Sequence, residues 1–369
     1  MSFDRRLFIH FDWMLLLMVL GISLIGLLNL YSTEFNQANA NQDLVYVKQV
    51  KWIALGLVFM TVAFCIDYRF INRYAYLIYG ISILLLVVVS FYGYTTRGSQ
   101  RWIMLAGFSF QPSELMKLTF ILALSKYFDD HRSAVSYQLK DLFSPFLIML
   151  VPFLLIMKQP DLGTALVLFF IFISLVLFIG VHWKSMAWSA LAAMLLIPSG
   201  WFFLKDYQKG RVMTFIDPDR DPLGAGYHVI QSIIAIGSGG ITGKGFLKGT
   251  QTQLRFLPER HTDFVFSVFA EEWGFLGGVV LLVFFMSLIL LGLKIALHAR
   301  DYMGSLIAVG VTALIFWEAF INIGMVLGIL PVVGIPLPFM SYGGSSMLVL
   351  MTSVGLLMNV SMRRFILKP

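Results

Sequence analysis

Ten apolar runs separated by polar turns organise this chain: 12–31, 48–66, 72–93, 112–128, 142–158, 163–182, 185–204, 265–293, 303–330 and 339–362. Each is close to the roughly 20 residues an α-helix needs to cross about 30 Å of hydrocarbon. Backbone polar groups in lipid must be satisfied within the segment, and runs this long and uniformly apolar do not suit barrel strands. The pattern therefore predicts an all-α polytopic membrane protein with about ten transmembrane helices, forming a single domain over 1–369. One long polar segment, 205–264, interrupts it before the eighth run.

Composition agrees with the pattern. The 369 residues are 59% hydrophobic and 13% charged, where a soluble domain carries about 25% charged residues. The single cysteine, Cys65, rules out an intramolecular disulfide. No small-residue cleavage site follows the first run, which reads as a span and not a signal peptide. The net charge of +7 is accounted for by its distribution, so no nucleic-acid partner is expected. Arg5, Arg6, Arg69, Arg73, Lys126, Arg132, Lys140, Lys184, Lys294, Arg300, Arg363, Arg364 and Lys368 fall on one side. Only Lys48, Lys51, Arg97, Arg101 and Lys158 fall in short loops of the other. The positive-inside rule then puts both termini in the cytoplasm and loop 205–264 outside.

Charge is otherwise kept out of the runs, which singles out a few segments. Phe256–Gly274 holds Glu259, Arg260, His261, Asp263, Glu271 and Glu272 at the mouth of the eighth run; charges beside hydrocarbon are costly and by default candidates for function. Pro112 suits the first turn of a helix, which places Glu114 and Lys117 on one face; they read as a structural ion pair or as a site. Asp161, in Gln159–Thr164, reads as a helix cap or as a site residue. Glu318 and Asn322 lie four apart in the ninth run and divide evenly between the two readings. Ser341 to Ser346 supply small polar residues that permit close helix approach or line a cavity. Within the long loop, Tyr227–Ile236 has helical apolar spacing suited to the membrane surface. Gly237–Gly245 resembles a phosphate loop only superficially, because Gly245 follows Lys244 where Ser or Thr is required. It reads as a turn offering amides and Lys244 to an anion, or as a plain flexible turn.

No Cys/His metal cluster, HExxH or GxSxG occurs, and His261 is too near Asp263 in sequence to presume a triad. What converges on the outer side is a carboxylate, Asp263, with the cations Arg101, Lys117, Lys244 and Arg260. That combination suits deprotonation of a hydroxyl while cations hold a diphosphate leaving group on a lipid carrier. The rival reading is a transporter or flippase in which the same charges couple to transport. No internal repeat and no charged path into the cytoplasmic half favour it. A bare scaffold would have no need of these charges.

The segments FLPERHTDFVF…AEEWG, RW at 101–102, QPSE…K at 111–117, QPDLGT at 159–164, DPLGAGYHVIQS at 221–232 and NIGMVLGILPVVGIPLPFMSYGGSS at 322–346 together resemble the SEDS family (shape, elongation, division and sporulation). Arg260 before His261 and the short tails are closer to its elongation member than to its division member. The resemblance implies a bacterial peptidoglycan glycosyltransferase that polymerises lipid II into glycan strands on the outer face of the cytoplasmic membrane, with undecaprenyl diphosphate leaving. It maps the family's essential aspartate to Asp263 and further family positions to Glu114, Lys117 and Asp161. It also implies a class B penicillin-binding protein and other elongasome proteins as partners. Carboxylates and phosphates suit Mg²⁺ or Mn²⁺, so a divalent cation is an expected cofactor.

Overall fold

The computed structural model describes residues 11–365 apart from 36–43, 97–98, 106–107, 133–135, 189–190, 192–193, 195–201, 203–205, 218–223, 255 and 258. Both termini, Arg97, most of the predicted span 185–204 and the start of the motif at 221 lie outside the described residues.

Helices occupy the other nine predicted spans: α1 Trp13–Glu34, α2 Val45–Cys65, α4 Ala75–Tyr92 after a short α3 Tyr68–Arg73, α5 Pro112–Asp130, α6 Phe143–Lys158 and α7 Leu162–Ile179. In the long loop come α8 Asp206–Ile216, α9 Ala225–Gly239 and α10 Thr250–Gln253, followed by α11 Val265–Leu297, α12 Tyr302–Val326 and α13 Gly344–Met362. Seven of these are long and apolar enough to cross a membrane by length and composition. Helix α5 carries Glu114, Lys117, Lys126 and two terminal aspartates, and α6 has only 16 residues.

The order of burial shows which helices form the centre. Through their most apolar windows α12 is 78% and α13 83% buried, against 22% for α4 and 28% for α2. Helix α5 is buried along most of its length as well. The outer helices turn large apolar side chains such as Leu17, Leu77, Phe91 and Leu154 outward, as lipid-facing surfaces do. A three-stranded antiparallel sheet was not expected from the pattern. It is formed by β1 Tyr94–Thr96, β2 Ser99–Leu105 and β3 Phe108–Phe110, paired in the order β1-β2-β3. It lies across the end of the bundle where α4 stops and α5 begins, and it delivers Arg101 to that end.

The long loop is folded against the bundle. Helix α9 packs on α11, and Ser232 lies 2.8 Å from the Ser267 hydroxyl and donates to the Val326 carbonyl at 2.6 Å. Helix α11 is broken at Gly274, whose φ of +66° lies outside the helical region. The glycine-rich turn enters that break: Lys244 and Gly245 donate backbone N–H groups to the Glu271 and Glu272 carbonyls, while Phe275 and Leu276 donate to Gly240 and Ile241. A Cβ on Gly274 would overlap the turn's backbone, so this contact requires glycine as well as the positive φ.

Candidate active site

Asp263 sits in the tight turn that ends the long loop, two residues before α11, and is half-buried. Three separate elements hold this turn by its backbone carbonyls. From α12, Asn322 donates to the Asp263 carbonyl at 2.9 Å and to the Ile335 carbonyl at 2.7 Å. From the loop before α13, the Ser341 hydroxyl donates to Thr262 at 2.6 Å, and the Tyr342 N–H donates to His261 at 2.8 Å. From α1, Asn29 donates to Val265 at 2.8 Å. A carbonyl left unpaired in such a place costs free energy, so these side chains fix the turn. The carboxylate itself lies against Gly334: a Cβ there would stand 3.3 Å from Oδ2. Gly334 also has φ +74°, which disfavours any other residue.

His261 stands beside Thr33, Nδ1 to Oγ1 2.9 Å. The Thr33 hydroxyl gives its single proton to the Leu30 carbonyl, so it accepts from His261 Nδ1–H and fixes that tautomer. Burial, with Arg260 next to it, pushes the imidazole down to about 4. His261 is therefore neutral near pH 7 and brings no positive charge to Asp263.

Asp161 forms a second node, 1% exposed. It caps α7 by accepting from Thr164 N–H at 3.3 Å and from the Thr164 hydroxyl at 2.9 Å. It also accepts from Ser113 and Gln111, both at 3.1 Å, and faces Arg101 at 3.5 Å. The rest of the Arg101 guanidinium binds the Gln159 and Pro160 carbonyls. The capping reading of Asp161 is thus realised together with a tie to β2 and the start of α5.

Below it, Lys117 lies between two carboxylates, Glu114 at 2.8 Å and Glu318 from α12. All three are buried. One lysine cannot neutralise two carboxylates, and Glu318 Oε2 and Asn322 Oδ1, one turn apart on α12, have no hydrogen-bond partner in the described structure. Buried polar atoms are rarely left so, and here they mark a polar seam leading from Asp263 into the bundle.

These groups share one wall. Ile335 and Val333 pack against Gly163 at the start of α7, Gly334 faces Asp263, and the Ser345 hydroxyl accepts from Gln111 N–H at 3.0 Å. The loop 331–345 thereby gathers Asp263, Asp161, Arg101, Glu114, Lys117, Ser341 and Tyr342 at one end of the molecule. Lys244 and Arg260 belong to a different cluster. Lys244 reaches Glu271 and Thr250, both at 2.7 Å. Glu271 is fully buried and also takes the Gln251 N–H at 3.0 Å and the Thr252 N–H at 3.4 Å. Arg260 donates to the Thr252 carbonyl. The amides of the glycine-rich turn and the Lys244 ammonium are therefore engaged within the protein instead of facing an anion. Sequence reasoning passed over Asn29, Thr33 and Gly334 as site-forming residues and left Asn322 undecided. A polar side chain inside an apolar run, as at Asn29 and Asn322, was the available signal.

The FtsW/RodA/SpoVE family, described as cell cycle proteins, matches residues 12–365. The chain is 42% identical to the peptidoglycan glycosyltransferase MrdB of Escherichia coli over 96% of its own length and 95% of that protein's. It is 34% identical to the peptidoglycan glycosyltransferase RodA of Treponema pallidum, covering 96% and 98%. Among solved structures, it matches a chain of a peptidoglycan synthase complex described as coordinating polymerization and crosslinking, with TM-score 0.81, 36% identity and 96% and 98% coverage. It also matches the rod shape determining protein RodA of Thermus thermophilus, with TM-score 0.71, 30% identity and the same coverage. This chain is a member of the FtsW/RodA/SpoVE family, the SEDS family its motifs resemble, and lies on the RodA side of it.

Proposed function

We propose that this chain is a peptidoglycan glycosyltransferase that polymerises lipid II for cell elongation, with Asp263 as its general base. The observation that carries the reading is the anchoring of the Asp263 turn from α1, α12 and the loop before α13, which holds one carboxylate at the mouth of a polar seam. Asp263 takes the proton from the 4-hydroxyl of the acceptor's N-acetylglucosamine. That oxygen bonds to C1 of the donor's N-acetylmuramic acid as the bond to undecaprenyl diphosphate breaks, inverting α to β. The base and the anchored turn supply positioning and proton transfer.

The leaving diphosphate needs positive charge. Each of the four cations picked out from the sequence is engaged with a protein partner: Lys117 with Glu114 and Glu318, Arg101 with Asp161 and two carbonyls, Lys244 with Glu271, Arg260 with Thr252. Mg²⁺ or Mn²⁺ needs few protein ligands and takes phosphate oxygens. Among the described residues no three His, Cys, Asp or Glu side chains cluster to hold one, so such an ion would be held chiefly by the substrate's own diphosphate, leaving the Asp263 carboxylate to take the proton. It would supply charge neutralisation there. Excess chelator should then slow polymerisation, with recovery on adding Mg²⁺ or Mn²⁺; an unchanged rate would assign neutralisation to the protein's cations.

Both termini lie in the cytoplasm and the Asp263 end faces outward in this reading, where a class B penicillin-binding protein crosslinks the strands and other elongasome proteins attend. The transport reading is disfavoured by the bundle below Lys117, where α5 buries Leu118, Phe120, Ile121, Leu122 and Leu124. Labelled lipid II given to the purified protein tests the choice. Glycan polymer on a gel supports the enzyme; lipid II crossing proteoliposomes with no polymer supports a flippase and contradicts it.

A further inference from the structure

At the end of the bundle opposite Asp263, a cavity of about 370 Å³ opens between α3, the last turns of α5 and the start of α12. Its polar lining is Arg69, Asn72 and Arg73 from α3, Lys126 and Asp129 from α5, and Asp301, which caps α12. None of these residues belongs to the site around Asp263.

The cavity's charges are mostly internally matched. Asp301 accepts from Tyr68 and from Arg69, the latter at 2.7 Å. Lys126 pairs with Asp130 at 3.2 Å. Asp129 is partly buried beside Asp301 and Asp130; burial and these two carboxylates outweigh the nearby Arg132 and Lys126 and push its carboxyl up. Within the lining, Arg69, Arg73 and Lys126 against Asp129 and Asp301 leave one positive charge in excess. Among the described residues Arg73 has no ion-pair or hydrogen-bond partner, and it is exposed. Asn72 is 2% exposed and donates its amide to the Met303 sulfur. Its carbonyl oxygen is buried with no partner and calls for a donor. Beside Arg73 the surface is apolar: Phe70, Tyr74, Tyr76 and Leu77 are 41–61% exposed.

We propose that this cavity binds the phosphodiester headgroup of an anionic phospholipid in the leaflet opposite Asp263. A single excess positive charge matches a phosphodiester, which carries one negative charge. The exposed aromatic and leucine side chains beside Arg73 lie where an acyl chain must run. Basic pockets between membrane helices take lipid headgroups in this way, and interfacial tyrosines suit that depth. A soluble phosphate would have no use for the apolar flank.

Lipid retention by the intact protein in nanodiscs of phosphatidylcholine doped with phosphatidylglycerol, read by native mass spectrometry, tests the proposal. Wild type should retain phosphatidylglycerol in preference to phosphatidylcholine. Arg73→Gln should weaken that retention about fivefold, the loss expected for one interfacial cation, while Lys294→Gln, an exposed charge at the same end on α11, should leave it unchanged. Equal retention of the two lipids, or equal effects of the two substitutions, would overturn the proposal. So would protection by inorganic phosphate in pure phosphatidylcholine that is lost in Arg73→Gln without any preference for phosphatidylglycerol, because the ligand would then be a soluble phosphate.

Discussion

Asn322 places Asp263 without any part in the chemistry assigned here. Its amide joins the Asp263 and Ile335 carbonyls, so Asn322→Ala removes the donor from one half-buried and one buried acceptor, the buried one at a cost of about 1–3 kcal/mol. We expect this variant to fold with a lowered melting temperature and to polymerise lipid II at least about tenfold more slowly, since a displacement near 1 Å costs that much or more. Wild-type turnover with a lowered melting temperature would reduce Asn322 to a fold-holding residue. His261 makes a prediction in pH. Its folded value near 4 lies below the ordinary 6.5, so the unfolded chain binds a proton that the folded chain refuses. The cost is absent above about pH 6.5 and grows as pH falls towards 4. His261→Gln should therefore flatten the loss of melting temperature over that window; a parallel curve would show that His261 is not the group responsible.

Helix α11 and the turn it admits show what element-level reasoning reaches. The apolar run at 265–293 made the helix legible, because twenty or more apolar residues have few other folds in lipid. The break at Gly274 was not legible: glycine is tolerated inside helices, and its positive φ arises only because residues 240–245 enter from elsewhere in the chain. The sheet at 94–110 was missed for a similar reason. Its strands are three to seven residues long, too short to show a period-two pattern beside the long runs. Glu271 is the anchor of the inserted turn, through Lys244, Thr250, Gln251 and Thr252. Glu271→Gln removes the charge that Lys244 answers. Amide exchange and proteolysis across 244–254 should rise while helical content is kept, and unchanged protection would show that the backbone bonds to α11 suffice.

Taken as a whole, the molecule has buried central helices, α5, α12 and α13, that carry the polar seam, and outer helices that meet lipid. The acidic positions were legible in the sequence because charge near an apolar run is rare. The partners of the cations were not, because Lys117–Glu318 and Arg101–Asp161 join residues 201 and 60 positions apart, and no local pattern encodes them. The same folding that brings Asp161, Lys117 and Asp263 to one wall leaves Asp263 as the carboxylate assigned to proton transfer. Polymerisation of purified lipid II by Asp263→Asn tests that assignment most directly. The substitution keeps the backbone carbonyl that Asn322 holds and removes only the base, so the variant should fold like wild type and lose about 10²–10⁴ in rate. Polymer formed at the wild-type rate would contradict the account.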